Sequence, residues 1–174
     1  MGKIVQVSET ERKYVTETFS KEDLWDREFL IYQWYDKDDP EYKIKCIFDL
    51  TKLTSKWVSV KKNRISNETS KKTVTYFCDD EINPKSFLGW PFVCKRRSLK
   101  GDISIDFFIR SNNHCRYLIE NEGDDAQLQE VIRTHNIGLK DVTDDVSYRN
   151  TNLTTEFLPK DLDGLLLMLS VICK

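Results

Sequence analysis

The sequence predicts a mainly β fold of the α+β class, in which an antiparallel sheet forms a barrel with a polar lumen, flanked by short helices. Seven or eight segments alternate apolar and polar residues with the period of two that is typical of β-strands. The polar faces of these segments are mostly charged, and helix signals lie between some of them. We therefore expect the apolar faces to point outward beneath helices and the charges to line the lumen.

The bulk properties of the chain restrict its class. Its 174 residues are enough for one domain with a core, so we treat residues 1–174 as a single domain. With 27 basic and 29 acidic side chains, the net charge of -2 disfavours nucleic acid or a membrane as the main partner. The sequence shows no signal peptide and no transmembrane helix, so we expect a cytoplasmic protein. Its five cysteines have no CxxC spacing, which argues against a zinc site.

The first segment has alternating acids and a base. If Val5–Val15 is a strand, Glu9, Glu11 and Lys13 share one face. Neighbouring carboxylates repel each other, so a shared cation would keep both ionised, and the lysine could hold an anion bridged to that cation. A solvated strand of mixed charge is the simpler interpretation of this segment alone. The recurrence of an acid pair in Glu120-Asn121-Glu122 favours a site.

Helix and strand signals alternate in the next part of the chain. Ser20 resembles the N-cap of a short helix that leads into Phe29. The aromatic and β-branched run Leu30–Tyr35 indicates a strand, and a second strand, Glu41–Asp49, follows the polar turn Asp36–Pro40.

Several strands have bases on their polar face. Val58 and Val60 indicate the apolar face of the segment Lys56–Lys61, which assigns Lys61 to the polar face, and residues 63–67 are predicted as a loop. The bases assigned to polar faces in this part of the chain are Lys43, Lys45, Lys61, Lys95 and Arg97.

The later strands have acids on the same face. In the segment Thr73–Ile82, Asp79 and Glu81 fall on the polar side, where Phe77 is a misfit. Asp106 falls on the polar side of the strand that begins at Ile103.

Three segments have helix signals. Asn83-Pro84 is a suitable cap and first-turn proline for a short helix, and the spacing of apolar residues predicts a helix from Asp124 to about Thr134. Pro159 opens an apolar stretch, Leu162–Cys173, which we expect to be a helix packed against the barrel.

So many charges in one small lumen would be costly to bury, even as ion pairs. Water, a metal ion and an anionic ligand should therefore share the space, so the polar face is a site rather than a core. An open sheet with one charged face in solvent is an alternative. An outer-membrane barrel is disfavoured by the missing export signal and the interposed helices.

Several segments resemble, in chain order, the motifs of the CYTH, or triphosphate tunnel metalloenzyme, superfamily. Glu9-Thr10-Glu11-Arg12-Lys13 resembles its ExExK signature. The further matches are Lys43-Ile44-Lys45 with a paired-base strand, Trp57–Lys61 with a lysine strand, Lys95-Arg96-Arg97 with a second basic pair, Ile105–Phe108 with an aspartate strand, Leu118–Glu122 with a late ExE strand, and Val146–Leu153 with a closing segment. This resemblance covers nearly the whole chain and implies an eight-stranded antiparallel tunnel that binds triphosphates with a divalent metal.

The resemblance also implies roles for individual residues. The implied ligands of Mg²⁺ or Mn²⁺ are Glu9, Glu11, Asp79, Asp106, Glu120 and Glu122. The implied phosphate-binding residues are Lys13, Lys43, Lys45, Lys61, Lys95, Arg97 and Arg149. The implied catalytic set is Glu9, Glu11, Lys13, Glu120 and Glu122. The expected reaction is attack of metal-activated water on the terminal phosphorus of inorganic triphosphate, or of a small organic triphosphate such as thiamine triphosphate or a nucleotide.

The sequence departs from the family pattern at a few positions. Phe77 and Ser104 stand where acids are usual, which would weaken a second metal site, and Lys43 and Lys45 replace arginines, which gives up bidentate contacts to phosphate. A tunnel that binds polyphosphate or nucleotide without turnover is therefore an alternative, and an adenylate cyclase is another. The oligomeric state is left open.

Overall fold

The computed structural model describes residues 4–17, 19, 25–78, 81–112 and 117–172, which form one antiparallel sheet with two α-helices. The strands are β1 (Ile4–Thr10), β2 (Arg12–Thr16), β3 (Arg27–Tyr35), β4 (Tyr42–Asp49), β5 (Thr54–Arg64), β6 (Thr69–Phe77), β7 (Pro91–Lys100), β8 (Ile103–Arg110), β9 (Tyr117–Asn121), β10 (Lys140–Asp141) and β11 (Thr155–Glu156). The helices are α1 (Asp125–His135) and α2 (Pro159–Ile172), and single 3-10 turns lie at Pro84–Phe87 and Val146–Tyr148.

The sheet is curled, and the single residue Glu11 joins β1, at one end of the strand order, to β2, the second strand from the other end. The strand order is β1-β6-β5-β4-β3-β7-β8-β9-β2-β10, and β11 pairs with β7. At Glu11 the chain passes from β1, which pairs with β6, to β2, which pairs with β9. The expected mainly β, α+β class is confirmed. The expected closed barrel of eight strands is wrong: the sheet has eleven strands among the described residues, and its ladder is open because the pairing changes partner at Glu11.

Helix α2 covers part of the outer face of the sheet. Its Leu162 and Leu165 pack in an aromatic cluster that includes Trp34, Trp57 and Phe92. Alternate residues of β3, β4 and β7 supply this cluster, as expected for strands with one apolar face. The helix predicted from Pro159 is therefore present and lies where it was expected.

Helix α1 covers the outer face of β8 and β9. Asp124 caps it by accepting hydrogen bonds from the backbone N–H groups of Ala126 and Gln127. Leu128 and Val131 pack with isoleucines of the sheet. The helix predicted from Asp124 to about Thr134 is confirmed.

The inner face also has an apolar part. Tyr35, Val93, Phe108 and Leu118 form a cluster there with Val142 and Leu153 of the C-terminal segment. Charges therefore occupy only part of the inner face, whereas the sequence predicted a lumen lined by charges.

Three boundaries differ from the prediction. β3 already begins at Arg27, so Phe29 lies in a strand rather than in the predicted helix, and residues 20–24 of that helix lie outside the described part of the chain. β5 continues to Arg64 and β6 begins at Thr69. The predicted loop is therefore shortened to a tight turn, because the hairpin continues beyond its apolar residues.

Candidate anion and metal site

The inner face of the curled sheet contains a small basic cavity. Its described lining has eight basic and three acidic side chains, together with Tyr35, Pro40, Asn150 and Thr151. The bases are Lys13, Lys43, Lys45, Lys62, Arg64, Lys72, Lys95 and Arg97, and the acids are Glu11, Glu41 and Glu120. The free volume is about 40 Å³, so a triphosphate could enter only if these side chains moved apart. The excess of cations makes the cavity a candidate anion site.

Lys43 and Lys45 are the cations of the cavity that lack a counter-charge. Within the described residues, no carboxylate lies within ion-pair distance of either ammonium group. Burial, and then the nearby ammonium groups of Lys62, Lys72 and Lys95, lower the pKa of Lys43 to about 7. Burial and neighbouring cations also lower the pKa of Lys45 well below its ordinary value. An anion placed here would supply the missing charge.

A second group of bases is held by buried acids. The guanidinium of Arg97 donates two hydrogen bonds of 2.6 Å to Asp106, and Lys95 Nζ lies 2.5 Å from the same carboxylate. Arg97 Nη2 also lies 2.5 Å from Glu120 Oε2. Lys13 Nζ lies 3.0 Å from Glu11 and 3.8 Å from Glu120. These pairs hold the bases in fixed positions beside the two unpaired lysines.

Three carboxylates form a cluster close to this cavity. One oxygen each from Glu9, Glu11 and Glu122 lie within 4.8 Å of one another. Lys62 Nζ lies 3.5 Å from Glu9 and 3.4 Å from Glu11, and Lys72 forms an ion pair with Glu9. Oxygen ligands at this spacing suit a hard divalent cation such as Mg²⁺ or Mn²⁺.

The pKa values of two members of this cluster are shifted in opposite directions. Partial desolvation, followed by the hydrogen bond to Glu9 and the charge of Glu9, raises the pKa of Glu122 to about 8. Burial alone would raise the pKa of Glu9, but the hydrogen bond from Glu122 and the charges of Lys72 and Lys62 outweigh it and hold that pKa well below its ordinary range. These opposite shifts are typical of two carboxyl groups that lie close enough to compete for one proton. A divalent cation could take the place of this proton, so the cluster fits a metal.

The structure brings most of the sequence-predicted residues together. Glu9, Glu11 and Lys13 lie on the inner face and are all buried, as the period of two predicted. The predicted residues that line the cavity are Glu11, Lys13, Lys43, Lys45, Lys95, Arg97 and Glu120. Glu122 is exposed at the carboxylate cluster, and Asp106 is fully buried between Lys95 and Arg97 rather than in that cluster.

The structure places Lys61 outside the cavity. Lys43 pairs with Val60 and Lys45 with Val58, so these two valines face inward and Lys61 faces outward, where it forms an ion pair with Asp39. Lys62, the next residue, points into the site and is buried. The assignment of Lys61 was based on the assumption that Val58 and Val60 mark the outer face, and this assumption is wrong.

Two other predicted residues are not placed in the cavity. Arg149 donates a hydrogen bond of 2.9 Å to Asn67 Oδ1, beside the rim residue Asn150. Asp79 lies outside the described residues.

The two departures from the family pattern have different surroundings. Phe77 packs against the outer aromatic cluster, so it does not replace an inner acid. Ser104 is buried on the inner face and pairs with Glu120. Only Ser104 therefore bears on the composition of the site.

Sequence reasoning missed three bases of the cavity, Lys62, Arg64 and Lys72. Lys62 and Arg64 share a strand face with Val58 and Val60. A strand extended by three residues, with Val58 and Val60 assigned to the inner face, would have placed both bases on the face of Lys43 and Lys45. Lys72 pairs with Lys62, so the correct hairpin register would have identified it as well.

Among the described residues, no helix is long and apolar enough to cross a membrane.

Comparisons with known proteins give only remote similarity. No family model and no curated protein matches this sequence. Two crystal structures of the protein NE1496 are similar. One, described as a hypothetical protein, is 17% identical, has a TM-score of 0.48, and the match covers 83% of this chain and 95% of that chain. The other, described as an inorganic triphosphatase, is 18% identical, has a TM-score of 0.49, and the match covers 87% of this chain and 97% of that chain. Because both TM-scores are below 0.5, this similarity transfers no activity to the present chain.

Proposed function

We propose that this chain is a metal-dependent phosphohydrolase that removes the terminal phosphate from triphosphate-containing substrates. The observation that carries the proposal is the position of two unpaired lysines, Lys43 and Lys45, in a basic cavity close to the carboxylates of Glu9, Glu11 and Glu122. Lysines bind the negative charges of a phosphate chain, and carboxylates bind a divalent cation. The order of motifs along the sequence, which resembles the CYTH superfamily, supports the same proposal.

The bases would bind the phosphate chain. Lys43 and Lys45 can accept an anion without losing an ion pair of their own, and binding would favour their protonated forms. Asp106 positions Lys95 and Arg97. Both side chains have several N–H groups and can donate some of them to phosphate oxygens. In this role they neutralise charge on the transferred group and on the leaving phosphate.

Glu9, Glu11 and Glu122 would hold Mg²⁺ or Mn²⁺. The bound cation would supply Lewis acidity, lowering the pKa of water and neutralising phosphate charge. Lys62 and Lys72, which now pair with Glu9, are close enough to bridge the metal ligands and the phosphate chain. Glu120 and Asp106 are held by Arg97, so we assign them to positioning that base rather than to the metal.

The proposed substrates are inorganic triphosphate and small organic triphosphates such as thiamine triphosphate or a nucleotide. Phosphate release from inorganic triphosphate, ATP and thiamine triphosphate, with Mg²⁺, Mn²⁺ or chelator, tests the proposal. We expect release with metal only, and we expect Lys45→Gln and Glu9→Gln to reduce it at least tenfold, since each removes a charged contact. Lys61→Gln is the matched control and should behave as wild type, because Lys61 lies outside the cavity.

The other outcomes distinguish the alternatives. Tight binding of triphosphate without release in any metal would support a non-catalytic binding protein. Pyrophosphate and cyclic nucleotide from ATP would support an adenylate cyclase. Equal loss of activity in Lys45→Gln and Lys61→Gln would contradict the placement of the site.

A further inference from the structure

Two segments of the chain meet across the mouth of the cavity. One is the turn of residues 65–68, which follows Arg64 at the end of β5. The other is the segment of residues 144–149, which precedes Asn150 and Thr151. Arg64, Asn150 and Thr151 all line the cavity. The two segments therefore directly adjoin residues that line one end of the cavity.

The amide group of Asn67 joins these two segments. Asn67 Oδ1 accepts a hydrogen bond of 2.9 Å from Arg149 Nη2, and Asn67 Nδ2 donates one of 2.9 Å to Asp144 Oδ1. These two hydrogen bonds join the turn to the segment, and both are exposed. We call Asn67, Asp144 and Arg149 the Asn67 clasp.

The segment that carries the clasp is a unit with fixed ends. Val142 N–H donates to the carbonyl of Lys13 at 2.9 Å, and Asn112 N–H donates to the carbonyl of Leu153 at 2.8 Å. Within the segment, Asn152 Nδ2 donates to the carbonyl of Val146 at 2.7 Å, and Tyr148 packs against the inner apolar cluster. The segment is thus fixed to the sheet by backbone hydrogen bonds at its ends and by the packing of Tyr148. Two exposed hydrogen bonds hold its outer side to the turn.

We propose that the Asn67 clasp is a specificity gate, which admits a bare phosphate chain and restricts the entry of a bulky organic group. This inference rests on the proposed function, from which it takes the triphosphate ligand. The clasp makes the site prefer inorganic triphosphate to nucleoside triphosphates. Exposed hydrogen bonds contribute little net stability each, so the gate can open without unfolding the sheet. Arg64, Asn150 and Thr151 adjoin the two joined segments and line the cavity, so opening the clasp would enlarge the space at that end of it.

Asn67→Ala, which removes both bonds, tests the gate. Asn63→Ala, an exposed asparagine on the same hairpin, is the matched control, and Asp144→Ala removes one bond. We expect faster amide hydrogen exchange in residues 144–149 of Asn67→Ala. We also expect the ratio of kcat/KM for inorganic triphosphate to that for ATP to fall about tenfold, since two hydrogen bonds are lost. Asp144→Ala should lie between Asn67→Ala and the control.

The outcomes separate the gate from the proposed function. Unchanged exchange in Asn67→Ala, or faster exchange with an unchanged substrate ratio, would overturn the gate. A wild-type protein that releases no phosphate would overturn the proposed function instead. The gate would then be judged by the ratio of dissociation constants for tripolyphosphate and ATP, which Asn67→Ala should shift in the same direction and Asn63→Ala should not.

Discussion

Lys43 and Lys45 are half-buried side chains whose charge is a cost to the folded protein. The pKa of Lys43 falls from its ordinary value of 10.5 to about 7 because burial and nearby cations disfavour its charged form. Between these two values the unfolded chain binds more protons than the folded chain, so this lysine makes the protein less stable at pH 7 than at pH 10. Such a cost is typical of a residue that is retained for binding.

We expect Lys43→Met to increase the free energy of unfolding at pH 7. The gain should be on the order of a few kcal/mol, because the charged form of the buried lysine is removed. The gain should shrink as the pH rises toward 10.5, where the unfolded lysine also loses its proton. Urea denaturation at pH 7 and pH 10 measures both values, with Lys61→Met as a control. A gain that is equal at the two pH values would contradict this explanation.

Two adjacent lysines of β5 provide a second prediction at the residue scale. Lys62 is buried in the site and Lys61 pairs with Asp39 on the other face. We expect Lys62→Gln to weaken the binding of tripolyphosphate about tenfold and Lys61→Gln to leave it unchanged, since only Lys62 can contact the anion. Isothermal titration calorimetry of both variants at one salt concentration measures this difference. The reverse order would mean that the register of β5 is misassigned.

The error at Lys61 shows how far an alternating pattern can predict a site. In β4 and in the segment Glu9-Thr10-Glu11 the charges alternate with uncharged residues, so Glu9, Glu11, Lys43 and Lys45 were assigned to the correct side. In β5 the inner face is apolar at Val58 and Val60 and basic from Lys62 onward. A prediction that assigns every apolar strand face to the outside of the sheet is therefore wrong for β5.

At the scale of elements, helix α2 is attached to the sheet by an ion pair. The β7–β8 ladder has a register shift between Cys94 and Lys95. Lys95, which pairs with Phe108, faces inward, whereas Cys94 pairs with Arg110. The side chain of Arg110 contacts α2. Arg110 Nε donates to Asp161 Oδ1 at 2.9 Å, and Asp161 also accepts a hydrogen bond from Leu158 N–H at 3.0 Å. Asp161 is buried, and Arg110 supplies the counter-charge that offsets the cost of burying its carboxylate.

We expect Arg110→Met to destabilise the protein by about 2 kcal/mol or more, because it leaves a buried carboxylate unpaired. Lys160→Met, which changes an exposed neighbour of Asp161, should have little effect. The midpoint of urea denaturation for each variant checks this. Equal midpoints for the two variants would show that α2 is held by its apolar contacts rather than by the ion pair.

The elements themselves were predicted with unequal success. α1 and α2 were found because each has a capping or proline signal followed by apolar residues at helical spacing. The start of β6 was placed four residues late, because Thr69–Lys72 contains no apolar residue to mark a strand. The very short strands β10 and β11 have two residues each, too few for any periodic signal.

At the scale of the whole molecule, the excess of bases couples ligand binding to protonation. At pH 8 the amine of Lys43, with a pKa of about 7, is mostly neutral. A bound triphosphate would raise this pKa and the lowered pKa values of Lys45 and Lys95, so the complex should take up protons.

We therefore expect tripolyphosphate binding to take up protons at pH 8 and to take up fewer at pH 6, where Lys43 is already charged. Calorimetry in two buffers of different ionisation enthalpy gives the number of protons at each pH. Lys43→Gln should reduce the uptake at pH 8, and Lys61→Gln should not. Uptake that does not depend on pH would contradict the lowered pKa of Lys43.

The overall architecture was predicted in class but not in detail. Alternation in several strands indicated an antiparallel, mainly β fold, and the structure has that fold. The number of strands and the open ladder depend on where a chain changes its pairing partner, as it does at Glu11. Such a change leaves no mark in local periodicity, because the residues on both sides of it continue to alternate.

The change of partner at Glu11 has a consequence for how the protein is made. Glu9 of β1 pairs with Ser70 of β6, and Lys13 of β2 pairs with Glu120 of β9, much later in the chain. During synthesis on the ribosome β1 emerges before β6, and β2 emerges long before β9. Because distant pairings form slowly, we expect the β2–β9 pairing to form after the hairpins of β3 to β8. The cluster of Glu9, Glu11 and Glu122 would then be completed only after β9 has emerged.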